Sequence, residues 1–411
     1  MPTHRTEDRS RRAFLQFLAA SPLLAALDLR GGLMAAAAQP ADLIAKAKDA
    51  LDVFDFEAVA RHTLSPAHLG YLDTGTDDDA TVRANREGFS RYQLRMRRLV
   101  DTSQVDTSVS LFGTRWETPV LLCPAGSQRA FHPDGEVAVA RAARTAHQLF
   151  VLATPATASV EEVAAARGEP VWFQLYQRDD WNQTRQLIKR AEAAGCPALV
   201  FTIDLLGGSN RLSGTRAERR DTADCTGCHK ARSMRDNTHM PMLAGLAPAP
   251  AAPEVGTPTW DYVKRLKDAS PMKLLLKGIV TGEDADLAIQ HGVDGVWVSN
   301  HGGRAENSLR STIECVAEVA SSVARRAPII VDSGFRRGTD IFKALALGAT
   351  AIGIGRPYLW GLAAFGQEGV ETVLSILRRE LRMVMRQAGT TTTAGIGRGS
   401  VMPVSSAGPV R

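Results

Sequence analysis

The feature that most constrains this chain is an eightfold recurrence. Eight short apolar runs, Val120–Cys123, Phe150–Ala153, Val171–Phe173, Ala198–Phe201, Lys273–Leu276, Val296–Val298, Pro328–Val331 and Ala349–Gly353, each stop in polar or glycine-rich residues. Helix-like stretches separate them, as Asp340–Leu347 separates the last two. A run that is apolar throughout, with no alternation, is buried on both faces, the condition of a parallel strand beneath helices. Eight such units in a chain of 411 residues predict an α/β fold, a closed (β/α)8 TIM barrel, with polar groups gathered at its carboxyl face.

The strand ends carry the chemistry. The sixth run delivers Ser299, Asn300, His301, Gly302, Gly303 and Arg304: a proton-exchanging imidazole, two glycines that let backbone approach a flat ligand, and a planar fork suited to a carboxylate. The seventh and eighth runs close in Asp332-Ser333-Gly334-Phe335-Arg336-Arg337-Gly338 and Ile354-Gly355-Arg356-Pro357. Two successive glycine-arginine turns late in such a series predict a phosphate cradle of backbone N–H groups and the guanidiniums of Arg336 and Arg356. Earlier runs end in Pro124-Ala125-Gly126-Ser127, Thr154, Gln174-Leu175-Tyr176, Thr202-Ile203-Asp204 and Lys277. Singly, each is more often a satisfied strand-end group than a catalyst. Together they describe a site.

The flanks are of another kind. Residues 1–38 read as a twin-arginine export signal: Ser10-Arg11-Arg12-Ala13-Phe14-Leu15, an apolar stretch through Leu29, and the small residues Ala35–Ala38 before a cleavage point, which predicts a periplasmic protein. The apolar stretch holds Pro22 and Asp28 and is short for a membrane span. That segment carries five arginines against three acids, so the formal +5 falls to about +3 for the remainder, too mild a charge for a nucleic-acid partner. Residues 40–99 form an amphipathic helical extension broken at Tyr71–Gly75, residues 39–400 make up the barrel domain, and 401–411 are expected to be a loose tail, continuous with the polar stretch from Thr390. No metal site is expected.

With these motifs in order, the chain resembles the FMN-dependent 2-hydroxy acid oxidases and dehydrogenases, the group of glycolate oxidase, lactate oxidase, mandelate dehydrogenase and flavocytochrome b2. The likeness rests on Phe-Gln-Leu-Tyr at 173–176, Ser-Asn-His-Gly-Gly-Arg at 299–304, Asp-Ser-Gly-Phe-Arg-Arg-Gly-Thr-Asp at 332–340 and Ile-Gly-Arg-Pro at 354–357. The resemblance implies that Pro124, Ala125, Gly126, Thr154, Gln174, Thr202 and Ser299 hold a flavin ring with Lys277 at its N1/O2 edge. It further implies that Asp332, Ser333, Gly334, Phe335, Arg336, Gly355 and Arg356 bind the ribityl phosphate. On the substrate side it implies a carboxylate clamp of Arg211, Arg304 and Tyr71, with Tyr176 on the hydroxyl, His301 as general base and Asp204 as its orienter. The expected reaction converts an L-2-hydroxy acid to the 2-oxo acid, with oxygen, a quinone or a cytochrome as electron acceptor; a homo-oligomer, often a tetramer, is the family pattern.

This chain also departs from that pattern. Leu72 follows Tyr71 where a second tyrosine is common, and Gly126 replaces an alanine, which predicts space for a larger substrate side chain. Residues 213–257 occupy the place of the active-site lid and contain Cys225-Thr226-Gly227-Cys228-His229. This pentapeptide has the form of a c-type haem attachment site, with Met234, His239, Met240 or Met242 as candidate sixth ligands; a Cys225–Cys228 disulfide or free thiols are the alternatives. Two other functions compete with the oxidoreductase: an FMN-dependent isomerase of the type 2 isopentenyl diphosphate isomerase kind, and a flavin or haem electron carrier.

Overall fold

The computed structural model describes residues 43–223, 240–246 and 257–404. The export signal and the Cys225, Cys228 and His229 motif lie outside these residues, as do Met234 and His239. In chain order, three helices come first: α1 (Val53–Thr63), α2 (Pro66–Asp73) and α3 (Ala80–Glu87). A short strand β1 (Tyr92–Leu94) and a hairpin of β2 (Val109–Leu111) and β3 (Thr114–Trp116) follow. The barrel begins with β4 (Val120–Leu122), α4 (Gly135–Thr145), β5 (Leu149–Leu152), α5 (Val160–Arg167), β6 (Trp172–Leu175) and α6 (Trp181–Ala193). It continues through β7 (Ala198–Thr202), α7 (Leu212–Arg220), α8 (Trp260–Ala269), β8 (Lys273–Ile279), α9 (Gly282–Gln290) and β9 (Gly295–Val298). It ends with α10 (Thr312–Val323), β10 (Ile329–Val331), α11 (Gly338–Leu347), β11 (Ala351–Ile354) and α12 (Arg356–Ala388), and a last strand β12 (Val401–Pro403) lies outside it.

Strands β4 to β11 pair in sequence, all parallel, and β11 closes on β4 through Ile352 to Val120 and Ile354 to Leu122. The predicted barrel is therefore the observed one. Because side chains alternate across each strand, the chain builds two cores. Leu121, Leu149, Val151, Trp172, Val200, Leu275, Trp297 and Ile330 point inward and fill the barrel, and Leu111 and Trp116 of the β2–β3 hairpin belong to the same cluster. Val120, Leu122, Phe150, Phe173, Phe201, Leu276 and Val298 point outward to the helices. Local signals reinforce the helices: Ser159 and Glu162 cap α5 reciprocally, at 3.2 and 2.8 Å, a device worth about 1 kcal/mol.

Three expectations need correction. Tyr71 sits in the last turn of α2, and the chain breaks only after Asp73. The tail is not loose where it is described: β12 pairs antiparallel with β1, Tyr92 opposite Pro403 and Leu94 opposite Val401. Alternation over three residues is too short to read as a strand, and the pairing spans more than three hundred positions. The presumed lid opens as a helix, because α7 packs on α2 so closely that a Cβ on Gly70 would lie 2.5 Å from Ala217. Asp221, just past α7, accepts hydrogen bonds from Ser65 Oγ (2.6 Å) and Ala67 N (2.7 Å), which fastens it to the start of α2. Further on, Met242 and Leu243 are fully buried, and Met242 Sδ accepts from Val160 N at the start of α5. Met242 thus serves as a packing residue.

Candidate active site

The carboxyl ends of the strands open into one cleft, and residues from both predicted halves of the site line it. At one end are Tyr71, Tyr176, His301 and Arg304; at the other, Ser333, Gly334, Phe335, Arg336, Gly355 and Arg356; between them run Pro124, Ala125, Gly126, Gln174, Lys277 and Asp332.

The base end is built on a left-handed turn. His301, Gly302 and Gly303 all have positive φ, at 58°, 71° and 81°. For a histidine this conformation costs roughly 1–2 kcal/mol, so the surroundings must impose it. His301 N donates to Ser299 Oγ (3.0 Å), Gly302 N to Ser333 Oγ (3.0 Å) and Gly303 N to Asn300 Oδ1 (3.0 Å). The turn aims the imidazole at two partners: Nδ1 lies 2.8 Å from Asp204 Oδ1, and Nε2 lies 3.4 Å from Tyr176 OH. Asp204 approaches because Lys277–Ile279 carries a register shift and residue 278 is glycine. Gly278 has φ 119°, and a Cβ there would stand 2.7 Å from Asp204 Cβ.

The electrostatics fit proton abstraction. Burial pushes the pKa of His301 below the ordinary imidazole range, Lys277 and Arg304 push the same way, and Asp204 resists, so a neutral base faces the cleft. Burial alone would raise Asp204, but the imidazole of His301 and the ammonium of Lys277 outweigh it and hold the carboxyl below its usual range. Its second oxygen, Oδ2, is buried with no hydrogen-bond partner among the described residues. Tyr176 is pushed up, first by burial and then by Asp204, so its hydroxyl stays a donor. Arg304 stacks its guanidinium 4.3 Å over the Tyr71 ring and donates to Thr74 O (3.3 Å). Arg211, at the N-cap of α7, is near enough to lower the pKa values of both Tyr176 and Arg304.

Behind the cleft lies a chain of polar groups. Lys277 Nζ donates to Ser299 Oγ (2.8 Å) and sits 3.2 Å from Asp332 Oδ2; Asp332 also accepts from Ser299 Oγ (2.8 Å) and Trp297 Nε1 (3.1 Å). Burial would discharge this lysine, but Asp332 and Asp204 prevail and its pKa is raised. Thr154 and Thr202, expected at the ring, flank Gln174: Thr154 N donates to Gln174 Oε1 (3.1 Å) and Gln174 Nε2 to Thr202 Oγ1 (2.9 Å). Along with Ser299, they orient the lining residues from one layer back. Gly126 differs from expectation. A Cβ there would meet Pro155 Cγ at 2.8 Å and Pro155 O at 2.9 Å, so the missing methyl accommodates Pro155 and gives the substrate no extra space.

The cradle end has unmet positive charge. Arg336 is 7% exposed, rests 4.5 Å over the Trp360 ring and donates to Phe335 O (2.8 Å). Arg356 donates to the carbonyls of Leu72, Thr74 (3.2 Å) and Gly302 (3.0 Å). Neither guanidinium forms a salt bridge among the described residues. Burial and mutual repulsion lower Arg336 to about 9, and burial with Arg304 lowers Arg356 to about 10. Gly355 has open space where a Cβ would stand and precedes the N-terminus of α12, whose free N–H groups favour an anion. A dianionic phosphate answers both features. Phe335 turns its ring into the core, 5.0 Å from Phe89, so only its backbone serves the cradle.

A phosphate cradle, a flat glycine-lined strip and a base poised at its far end define a flavin-binding barrel oxidoreductase. Residues 60–403 match the family described as FMN-dependent dehydrogenase. Glycolate oxidase 1 of Oryza sativa subsp. indica is 38% identical over 359 residues, 85% of this chain and 95% of its own length. L-lactate oxidase of Nostoc sp. is 39% identical over 349 residues, covering 82% and 94%. The crystal structure of mandelate oxidase with (S)-2-phenylpropionate superposes with a TM-score of 0.74 at 36% identity, covering 84% and 96% of the two chains. This chain belongs to the FMN-dependent dehydrogenase family.

Sequence reasoning missed Asn85, Thr74 and Pro155. Asn300 was visible beside His301 but had no role assigned. Asn85 and Thr74 carry no local signal, since they reach the site only through the packing of the helical extension.

Proposed function

We propose that this protein oxidises a 2-hydroxy acid to the corresponding 2-oxo acid with FMN as cofactor. The observation that carries the reading is the convergence of the Asp204–His301 pair, the Tyr176 hydroxyl and the Arg304 guanidinium on one cleft that ends in the phosphate cradle. Arg304 and Arg211 hold the substrate carboxylate. Tyr176 donates to the substrate hydroxyl oxygen, and His301 Nε2 removes the hydroxyl proton while Nδ1–H donates to Asp204, whose charge stabilises the imidazolium. FMN, when bound, supplies the acceptor for the two electrons that leave with the substrate's C2–H bond. Lys277 keeps its proton and offers positive charge beside the ring strip. An isomerase of a diphosphate substrate has no use for a base and a carboxylate clamp at the end remote from the cradle.

The relatives' names favour oxygen as acceptor, and oxygen consumption with L-lactate and L-mandelate tests that. Anaerobic addition of either acid should bleach the flavin absorbance; bleaching by neither sinks the reading. The same spectrum decides the Cys225–His229 motif, because a Soret band marks haem and its lack leaves a disulfide or free thiols. The twin-arginine segment supports export to the periplasm by the twin-arginine route, and that route is excluded if the Arg11→Lys/Arg12→Lys precursor is exported as well as the parent. A tetramer is the expected assembly, to be checked by light scattering.

A further inference from the structure

The His301 turn is held from outside the barrel. Asn85, on α3 of the helical extension, and Asn300 exchange two amide hydrogen bonds, Asn85 Nδ2 to Asn300 Oδ1 and Asn300 Nδ2 to Asn85 Oδ1, both 2.9 Å. Both residues are buried, at 2% and 1% exposure. Three of the four side-chain polar atoms of the pair make a further bond. Asn300 Oδ1 also accepts from Gly303 N (3.0 Å), Asn300 Nδ2 also donates to Arg310 O (3.2 Å), and Asn85 Oδ1 also accepts from Thr312 N (3.3 Å). Close packing leaves α3 no freedom to shift: a Cβ on Gly334 would stand 2.1 Å from Asn85 O, and one on Gly303 2.7 Å from Val82 N.

A left-handed histidine followed by two left-handed glycines is not self-supporting. Asn300 closes the turn through both its backbone and its side-chain oxygen, since its carbonyl accepts from Gly303 N (3.0 Å) and Arg304 N (3.2 Å). The orientation of the Asn300 carboxamide is fixed in turn by Asn85, which donates to the oxygen and accepts from the nitrogen. We infer that Asn85, through its paired amide bonds with Asn300, is a positioning residue for the base His301, so that α3 takes part in catalysis without touching substrate. The inference rests on reading His301 as the base.

The test is the rate of anaerobic flavin reduction by L-lactate or L-mandelate, whichever reduces the holoenzyme faster, in Asn85→Ala and in the near-isosteric Asn85→Leu. With FMN content intact, the maximal rate falls on the order of 10- to 100-fold while KM stays within about twofold. In a His301→Ala background the same substitutions change the residual rate by less than about twofold, because their effect runs through the imidazole. An equal fall in that background, a rise in KM at constant maximal rate, or loss of bound FMN in both variants overturns the positioning role. If His301→Ala itself leaves the rate intact, the reading of the base fails first, which separates the two failures.

Discussion

The barrel buries arginines at both ends, and the two ends treat them differently. At the amino-terminal end Arg167 is 2% exposed; it pairs with Glu169 at 2.9 Å, donates to Gln148 O at 2.9 Å and Pro170 O at 3.3 Å, and lies 5.2 Å over the Trp116 ring. At the carboxyl end Arg336 and Arg356 hydrogen-bond to carbonyls, and Arg336 also rests over the Trp360 ring, but neither forms a salt bridge among the described residues. A buried charge answered by the chain's own carboxylate holds the fold; one left without a counter-charge prepares for an anion. Reading burial together with partnership separates structural from functional arginines, and burial alone does not.

Substitutions at the two ends should therefore separate activity from stability. The largest effect belongs to His301→Ala, which should slow flavin reduction by about 10³-fold with little change in unfolding temperature. Next, Asp204→Asn should reduce the rate on the order of 10²-fold and move the pH profile. With His301 as the neutral base and burial holding its pKa below the ordinary imidazole range, the acid limb of the parent enzyme's kcat/KM should lie below the pH range in which a free imidazole titrates. Asp204 raises that pKa, so its neutralisation should carry the acid limb lower still, and an upward move would contradict the electrostatics described here.

Smaller effects test the arginines themselves. Arg336→Met should weaken FMN binding roughly 10- to 100-fold, measured by fluorescence titration of the apoprotein, without destabilising that apoprotein. Arg167→Met should do the reverse, lowering unfolding free energy by about 1–3 kcal/mol and leaving FMN affinity and KM unchanged. If Arg167→Met impaired FMN binding, or Arg336→Met unfolded the apoprotein, the contrast between the two ends would collapse.

Much of this architecture was legible in the residues because parallel strands write themselves as continuous apolar runs and their ends as polar punctuation. His301, Arg304, Asp332, Arg336 and Arg356 could be found that way, each next to a strand. What could not be found depends on contacts between distant segments. The Asn85–Asn300 pair joins positions 215 apart, and the β1–β12 ribbon spans a greater separation still. Gly126 illustrates a subtler limit: the glycine was visible, but the direction of its absent side chain, toward Pro155, exists only once the backbone is folded. The start of the lid was read as a loop because α7 is nearly all polar on its exposed side and buries only Ala217.

The β1–β12 ribbon has a consequence for the order of events during synthesis. The barrel cannot close until β11 meets β4, and β1 has no strand partner until Val401–Pro403 arrives. Residues through Ile354 must therefore be synthesised before the barrel that carries the His301 turn can close. A closed flavin cradle thus exists only once β11 has been made, whereas deleting residues 401–411, which removes β12, should expose the β1 segment to proteases before it disturbs the barrel strands.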